Sequence, residues 1–172
     1  MRRLFVLTAV TALVLDQASK LLVQELLTGH VSHRLVGDFM RLSPTLNDRG
    51  LFGMNYGPRF SYFILPLAGI GLVIYFALRN RSRLQALACG MTLAGAFGNL
   101  VDRVRVGSVI DFIDVGLPGW RWYTFNLADA FLVCGIILLL ACELFMRGKP
   151  AAEPPSAVAA EPGELPAEGR PL

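Results

Sequence analysis

The sequence NLADAFLVCGIILLLACELFM occupies residues 126–146, and one of its few ionisable side chains is Asp129. About 20 predominantly apolar residues are enough for one helix to cross the hydrocarbon core of a bilayer. Arg147 and Lys149 follow directly, as expected where a helix leaves the membrane. The stretch therefore predicts a transmembrane helix over residues 127–146 with a carboxylate in its first turn.

Three further apolar blocks precede this one, at residues 4–27, 60–78 and 84–101. The chain of 172 residues is 54% hydrophobic and only 17% charged, with a mean hydropathy of +0.53. A soluble domain of this length needs more charge than that to cover its surface. The composition therefore excludes a soluble enzyme, a disordered hub and a nucleic-acid-binding module. We predict an all-α membrane protein with four transmembrane helices.

The first block has two possible interpretations, because Arg2 and Arg3 precede it as they would precede the apolar region of a cleavable signal peptide. No small-x-small cleavage site follows Leu15, and the apolar pattern resumes at Leu21. We therefore interpret the block as an uncleaved first span.

Basic residues set the predicted orientation. They crowd the start of the first span, the end of the fourth span and the short turn between the second and third spans: Arg2, Arg3, Arg79, Arg81, Arg83, Arg147 and Lys149. Such density near helix ends is typical of the cytoplasmic side, so both termini are predicted to be cytoplasmic, and the net charge of +3 indicates lipid headgroup contact. The loops at 28–59 and 102–125 then share the outer face. There, residues 36–42 predict a strand that ends at Ser43-Pro44.

Residues 150–172 differ in composition from the rest of the chain. They hold six of the ten prolines and no aromatic residue. Such a segment cannot bury enough apolar surface to order itself. We predict a membrane domain over residues 1–149 and a disordered, cytoplasmic tail rich in Pro, Ala and Glu over residues 150–172.

Carboxylates within or beside membrane spans are costly and raise a functional hypothesis by default. Five qualify: Asp16, Asp102, Asp111, Asp114 and Asp129. The order of the segments brings Asp111 and Asp129 to the same face of the membrane. Two carboxyl groups that share a proton can activate water as a base and protonate a leaving group as an acid.

Simpler interpretations stand beside the catalytic one. Asp16 has Lys20 one helical turn further on, which fits either an internal ion pair or polar support for a site. Asp129 follows Asn126 by three residues, which fits a helix cap.

Other functional schemes are also open. His30 and His33 have ligand-like spacing, but their loop contains no further His or Cys to complete a zinc site. A small transporter or proton channel would also use carboxylates inside the membrane, but the second apolar block carries no charge. A non-catalytic membrane scaffold is the third possibility.

Four motifs occur in order at the expected places relative to the spans: Leu15-Asp16-Gln17-Ala18-Ser19-Lys20, Gly95-Ala96-Phe97-Gly98-Asn99-Leu100-Val101-Asp102-Arg103, Val109-Ile110-Asp111-Phe112 and Phe125-Asn126-Leu127-Ala128-Asp129-Ala130. Through them the chain resembles, over about residues 3–146, the bacterial lipoprotein signal peptidases (signal peptidase II). The resemblance implies a multi-pass aspartyl endopeptidase of the bacterial cytoplasmic (inner) membrane, with four helices and a small extracytoplasmic β-cradle. It implies removal of the signal peptide from prolipoproteins by a cut just before their diacylglyceryl-modified cysteine.

The same resemblance assigns residues. Asp111 and Asp129 match the catalytic pair, which it places near the outer leaflet. The matches to supporting or substrate-binding polar residues are Asp16, Lys20, Asn47, Asn99, Asp102, Arg103 and Asn126. The chain departs from the family pattern N-x-G-A-A-F, because it has N-D-R-G-L-F at residues 47–52. No metal or cofactor is implied. The expected partners are lipidated prolipoproteins and membrane lipids but no nucleic acid, and a monomer is expected.

Overall fold

The computed structural model describes residues 1–27, 31–48, 63–78 and 82–146. Within these ranges the elements are, in order, α1 (Arg2–Leu26), β1 (His33–Val36), β2 (Met40–Asn47), α2 (Leu65–Leu78), α3 (Arg83–Val106), β3 (Val109–Leu117), β4 (Trp120–Arg121) and α4 (Leu127–Met146). The predicted tail at 150–172 lies outside the described residues, as do Arg79, Arg81, Arg147 and Lys149.

Three of the helices are long and apolar enough to cross a membrane: Arg2–Leu26, Arg83–Val106 and Leu127–Phe145. A shorter apolar helix covers Pro66–Leu78, inside the block for which the second span is predicted. Residues 60–62 of that block lie outside the described part of the chain. The part of the chain that the structure describes is therefore mostly helical, with three membrane-span candidates and a small antiparallel sheet.

Helix α3 continues beyond the predicted third span, 84–101, because its extra turn is electrostatically stabilised. Lys20 lies 2.7 Å from the carboxylate of Asp102, and two arginines in the last turn suit the negative end of the helix dipole. Gly107 ends the helix with a φ of 78°, in the left-handed region that glycine adopts most easily. The predicted outer loop at 102–125 therefore begins only after Val106, where α3 ends.

Helix α3 is also the central helix, which packs against α1, α2 and α4. Gly98 faces α1, where an added Cβ would lie 2.6 Å from Asp16 Oδ2. Gly95 faces α4, where an added Cβ would collide with the carbonyl oxygen of Ala128. Small residues on two faces of α3 therefore let both neighbouring helices approach its backbone closely.

The four strands form one antiparallel sheet in the order β1-β2-β3-β4. The single strand predicted over residues 36–42 is wrong, because Gly37 has a φ of 49° and the chain turns there between β1 and β2. Ser43-Pro44 does not end β2 either. The pairing of β2 with β3 shifts register between Leu42 and Thr45, and this irregularity accommodates a proline, which has no N–H to donate to a regular ladder.

The sheet is joined to the helices by a small hydrophobic cluster. Its buried members are Val23 of α1 together with Phe112 and Ile113 of β3. The Phe125 carbonyl accepts hydrogen bonds from the N–H groups of both these β3 residues, at 3.0 and 2.8 Å. Since Leu127 begins α4, β3 and the start of α4 are held side by side.

We expect Gly95→Ala to destabilise the protein, because its methyl group would force the backbone of α4 away from α3. Overpacking of this kind costs about 1–3 kcal/mol, so the midpoint of thermal unfolding in detergent should fall. Gly71→Ala on α2 is the matched control, since an added Cβ there meets nothing within 4 Å. Its midpoint should be unchanged or higher, and an equal fall in both variants would contradict the close α3–α4 packing.

Candidate functional site

Asp111 lies on β3 with only 2% of its surface exposed. Its Oδ1 accepts a hydrogen bond from Asn126 Nδ2 at 2.7 Å, and its Oδ2 accepts one from Asn47 Nδ2 at 2.9 Å. Asn47 reaches it diagonally, because β2 pairs Asn47 with Val109, two residues before Asp111. Burial raises the pKa of the Asp111 carboxyl to about 6, although the two amide hydrogen bonds act in the opposite direction.

Asp129 lies in the first turn of α4. Its Oδ1 accepts a hydrogen bond from Asn99 Nδ2 at 2.7 Å, and its Oδ2 accepts one from the backbone N–H of Asn126 at 3.3 Å. Asn126 Oδ1 accepts in return from the backbone N–H of Asp129 at 2.9 Å. This reciprocal pair is a capping box, so the predicted helix cap is present. The cap alone does not account for the contact with Asn99.

Asn126 connects the two carboxylates and is fully buried. Its Nδ2 donates to Asp111 Oδ1 and also to Asn99 Oδ1, at 2.7 and 3.1 Å, while its backbone N–H and its Oδ1 hold Asp129. The charge of Asp129 adds to burial in raising the pKa of Asp111, so the two groups are electrostatically coupled. The structure therefore brings Asp111 and Asp129 to one site.

Lys20 contacts Asn99 of this site and is also fully buried. Its ammonium group has three donors, and three oxygen atoms receive them. Asp102 Oδ2 lies at 2.7 Å, Asp16 Oδ2 at 2.9 Å and Asn99 Oδ1 at 3.1 Å. The predicted Asp16–Lys20 ion pair is thus present, with Asp102 as a second anion. Asn99 links this ion cluster to Asp129.

The two anions of the cluster also support the elements that carry the candidate pair. Asp16 Oδ1 accepts a hydrogen bond from the N–H of Ala128 at 2.9 Å, one of the N–H groups that lack a partner inside α4. Asp102 Oδ2 accepts from the N–H of Ile110 at 3.3 Å, next to Asp111 on β3. The ion pair predicted for Asp16 is therefore present, and Asp16 also contacts the start of α4, whereas its role as support for a site stays a prediction.

Gln17 is a member of the cluster that sequence reasoning missed as a site residue. Its Nε2 lies 3.0 Å from Asp16 Oδ2, 3.2 Å from Asp102 Oδ1 and 3.2 Å from the carbonyl oxygen of Gly98. The sequence feature that could have indicated Gln17 is its place between Asp16 and Lys20 in the first motif. That spacing does not show that the Gln17 side chain turns toward α3.

The remaining candidates are placed as follows. Arg103 donates from Nη1 to the carbonyl oxygen of Asn99, one helical turn earlier, at 3.4 Å. His33 lies on β1, and His30 lies outside the described residues, as do residues 49–52 of the altered loop. Within the described ranges no group of three or more His, Cys, Asp or Glu side chains could hold a metal ion.

The chemistry open to this arrangement follows from its carboxylates. One comes from a strand and the other from a helix start, and buried amides hold both of them. A neighbouring negative charge and burial favour retention of one proton, so one carboxylate can act as a base while the other acts as an acid.

Two solved structures have the same fold, and each is described as a bacterial membrane enzyme studied by the in meso method. The one at 2.3 Å resolution matches with a TM-score of 0.77 and 26% identity, covering 87% of this chain and 93% of its own. The one at 1.9 Å resolution matches with a TM-score of 0.72 and 28% identity, covering 81% and 92%.

Curated relatives match along most of the chain as well. A lipoprotein signal peptidase of Syntrophomonas wolfei is 42% identical over 132 residues, which cover 76% of this chain and 86% of the relative. One of Anaplasma phagocytophilum is 34% identical over 140 residues, covering 80% and 89%. The family model for signal peptidase (SPase) II matches residues 8–145.

The fold and these matches define the class of the protein as a membrane peptidase. Within that class, the chain belongs to the signal peptidase II family.

Removal of the buried Lys20 cation should destabilise the folded protein far more than removal of a surface cation that faces the same carboxylate, Asp102. Lys20→Met would leave Asp16 and Asp102 buried without their shared counter-ion, a loss of about 3–5 kcal/mol. Arg105 is the matched control, because its Nη2 lies 4.0 Å from Asp102 Oδ1 and its side chain is 35% exposed.

For Arg105→Met we expect a change of at most about 1 kcal/mol. The measurements are the yield of folded protein in detergent and its unfolding midpoint. Similar small changes in the two variants would show that the buried cluster does not hold the helices together.

Proposed function

We propose that this protein is an intramembrane aspartyl endopeptidase that removes the signal peptide from diacylglyceryl-modified prolipoproteins, cutting just before the lipidated cysteine. The carrying observation is the Asn126 bridge, in which one buried residue holds both Asp111 and Asp129. Membership of the signal peptidase II family supports peptidase chemistry. The names of the relatives support a lipoprotein substrate.

The proposed reaction starts with Asp129 ionised and Asp111 protonated, since Asp111 is the less exposed of the two to solvent. Asp129 takes a proton from water as the water oxygen bonds to the scissile carbonyl carbon. Asp111 donates a hydrogen bond to the carbonyl oxygen as it becomes negative.

The intermediate then collapses to products. The C–N bond breaks, and Asp111 transfers its proton to the leaving nitrogen, so that a carboxylic acid and an amine are formed. The proton on Asp129 then returns to Asp111, which restores the starting state. The scheme uses no cofactor.

We assign positioning roles to the polar residues around the pair. Asn99 and Asn126 orient the carboxylates directly. Lys20, Asp16 and Asp102 act through them, because their cluster holds Asn99, the start of α4 and β3. We assign positioning roles to Asn47 and Arg103 as well, supported by the Asn47–Asp111 and Arg103–Asn99 hydrogen bonds.

The proposed setting is the bacterial inner membrane, with α2 as the fourth span and the site near the outer leaflet. The ends of α1 and α3 and the start of α4 contact the sheet or the residues beside it, whereas Arg2, Arg3 and Arg83 lie at the other ends of α1 and α3. Basic residues favour the cytoplasmic side. We propose cytoplasmic termini, a tail with no part in the chemistry, and a monomer.

Cysteine labelling in intact cells tests this orientation. Arg34→Cys on β1, where the arginine side chain is 68% exposed, should react with a membrane-impermeant maleimide added from outside. Arg83→Cys, at the start of α3, should react only after permeabilisation. The reverse pattern would overturn the orientation. Both variants are made with Cys89, Cys134 and Cys142 replaced by alanine, so that only the new thiol reports.

Asp111→Asn and Asp129→Asn test the catalytic pair. Each keeps the shape of the side chain but removes a group that exchanges protons, so each should lower the cleavage rate by about 10²–10⁴-fold. Because the two groups act as a unit, the double variant should be hardly worse than either single one. The measurement is cleavage of a purified diacylglyceryl-modified prolipoprotein in detergent.

Asp38→Asn is the matched control, since Asp38 lies in the turn between β1 and β2 and pairs with the exposed Arg34 and the half-buried Arg41. It should cleave at close to the wild-type rate. Near wild-type cleavage by a folded Asp111→Asn or Asp129→Asn variant would rule out the aspartyl mechanism. Equal activity on an unlipidated substrate would rule out recognition of the diacylglyceryl group.

A further inference from the structure

The hairpin formed by β3 and β4 exposes a cluster of large apolar and aromatic side chains. Leu117, Trp120, Trp122 and Tyr123 are 60%, 60%, 51% and 71% exposed. The Trp120 and Trp122 rings lie 6.0 Å apart, and those of Trp122 and Tyr123 lie 6.3 Å apart. We call these four residues the aromatic patch. Contiguous exposed apolar surface of this kind marks a contact with a partner or a membrane.

Arg121 fixes the direction in which the two tryptophans of the patch face. It donates from Nε to Asp114 Oδ1 at 2.6 Å, from Nη1 to the carbonyl oxygen of Asp38 at 2.9 Å and from Nη2 to that of Asp114 at 3.1 Å. Side chains alternate along an extended strand, so Trp120 and Trp122 lie on the face opposite to Arg121. The backbone of the hairpin and the contacts of Arg121 therefore determine that the Trp120 and Trp122 rings are exposed.

The patch cannot lie far from the bilayer. Tyr123 precedes Leu127, the first residue of the apolar helix Leu127–Phe145, by only four residues. Four residues span at most about 14 Å when fully extended, and the pairing of Phe125 with Ile113 shortens the path. The interfacial zone of each leaflet is itself about 5–8 Å deep.

We propose that the aromatic patch is a membrane anchor that sits in the interfacial zone of the phospholipid leaflet on the sheet's side. Trp and Tyr suit that zone because each has an apolar ring and a polar tip. The anchor would fix the depth of the hairpin and of β3, which also carries Asp111. The proposal goes beyond the proposed function, since it depends neither on peptidase activity nor on which leaflet the sheet faces.

The chain provides its own probe, because both of its two tryptophans belong to the patch. The protein is reconstituted into phosphatidylcholine vesicles whose acyl chains carry bromine either near the headgroup or near the bilayer centre. Bromine near the headgroup should quench tryptophan fluorescence about twofold more strongly than bromine at the centre, as expected for interfacial rings. Aqueous iodide should quench it severalfold less than it quenches free N-acetyltryptophanamide.

A control for depth comes from Ile137→Trp made together with Trp120→Phe and Trp122→Phe. Ile137 is exposed on α4, ten residues after Leu127, which is about 15 Å along the helix and near the middle of a hydrocarbon core about 30 Å thick. Its quenching should show the opposite preference. The single variants Trp120→Phe and Trp122→Phe separate the two native rings.

Two results would overturn the proposal. Strong quenching by iodide with little effect of either bromine position would place the patch in water. Weak quenching by all three agents would mean that protein covers the rings. Neither result depends on cleavage, so failure of the anchor and failure of the proposed peptidase function can be told apart.

Discussion

The buried ammonium group of Lys20 is the constraint on which the rest of the structure depends. A charge removed from water costs several kcal/mol unless its partners are well placed. Lys20 meets this requirement with one oxygen from its own helix and two from α3. The two carboxylates need partners of their own, which they find in the N–H groups of Ala128 and Ile110. The neutralisation of one cation thus ties α1 to α3, to the start of α4 and to β3.

The candidate site is built on this cluster through amide side chains rather than through further charges. Asn99 touches both Lys20 and Asp129, and Asn126 touches Asn99, Asp111 and Asp129. Each of these amides both donates and accepts, so neither can turn without breaking a buried hydrogen bond, and a broken one is costly. The two aspartates are consequently held in a fixed relation before any substrate binds, which is what acid–base chemistry on a peptide bond requires.

The elements that the sequence predicts well are those with one dominant physical cause. Three long apolar blocks coincide with α1, α3 and α4, because the bilayer sets their length. The meeting of Asp111 and Asp129 follows from the order of the segments. The turn at Gly37 was missed because its neighbours suit a strand, and its left-handed backbone does not show in an apolar–polar pattern. Gln17 was missed because its contacts lie on α3, and side-chain direction across helices cannot be read from spacing along one helix.

The cap that Asp16 places on α4 has a consequence for the order in which the chain assembles during synthesis. Ala128 lies 112 residues after Asp16, and Asn99 lies 79 residues after Lys20. Helix α1 is therefore made long before either partner exists. During that interval Asp16 and Lys20 can find partners only within α1, where they form an ion pair one helical turn apart that carries no net charge. A neutral pair lowers the penalty for placing ionisable side chains in the membrane, so the same two residues that later organise four elements first make it less costly for α1 to enter the bilayer alone.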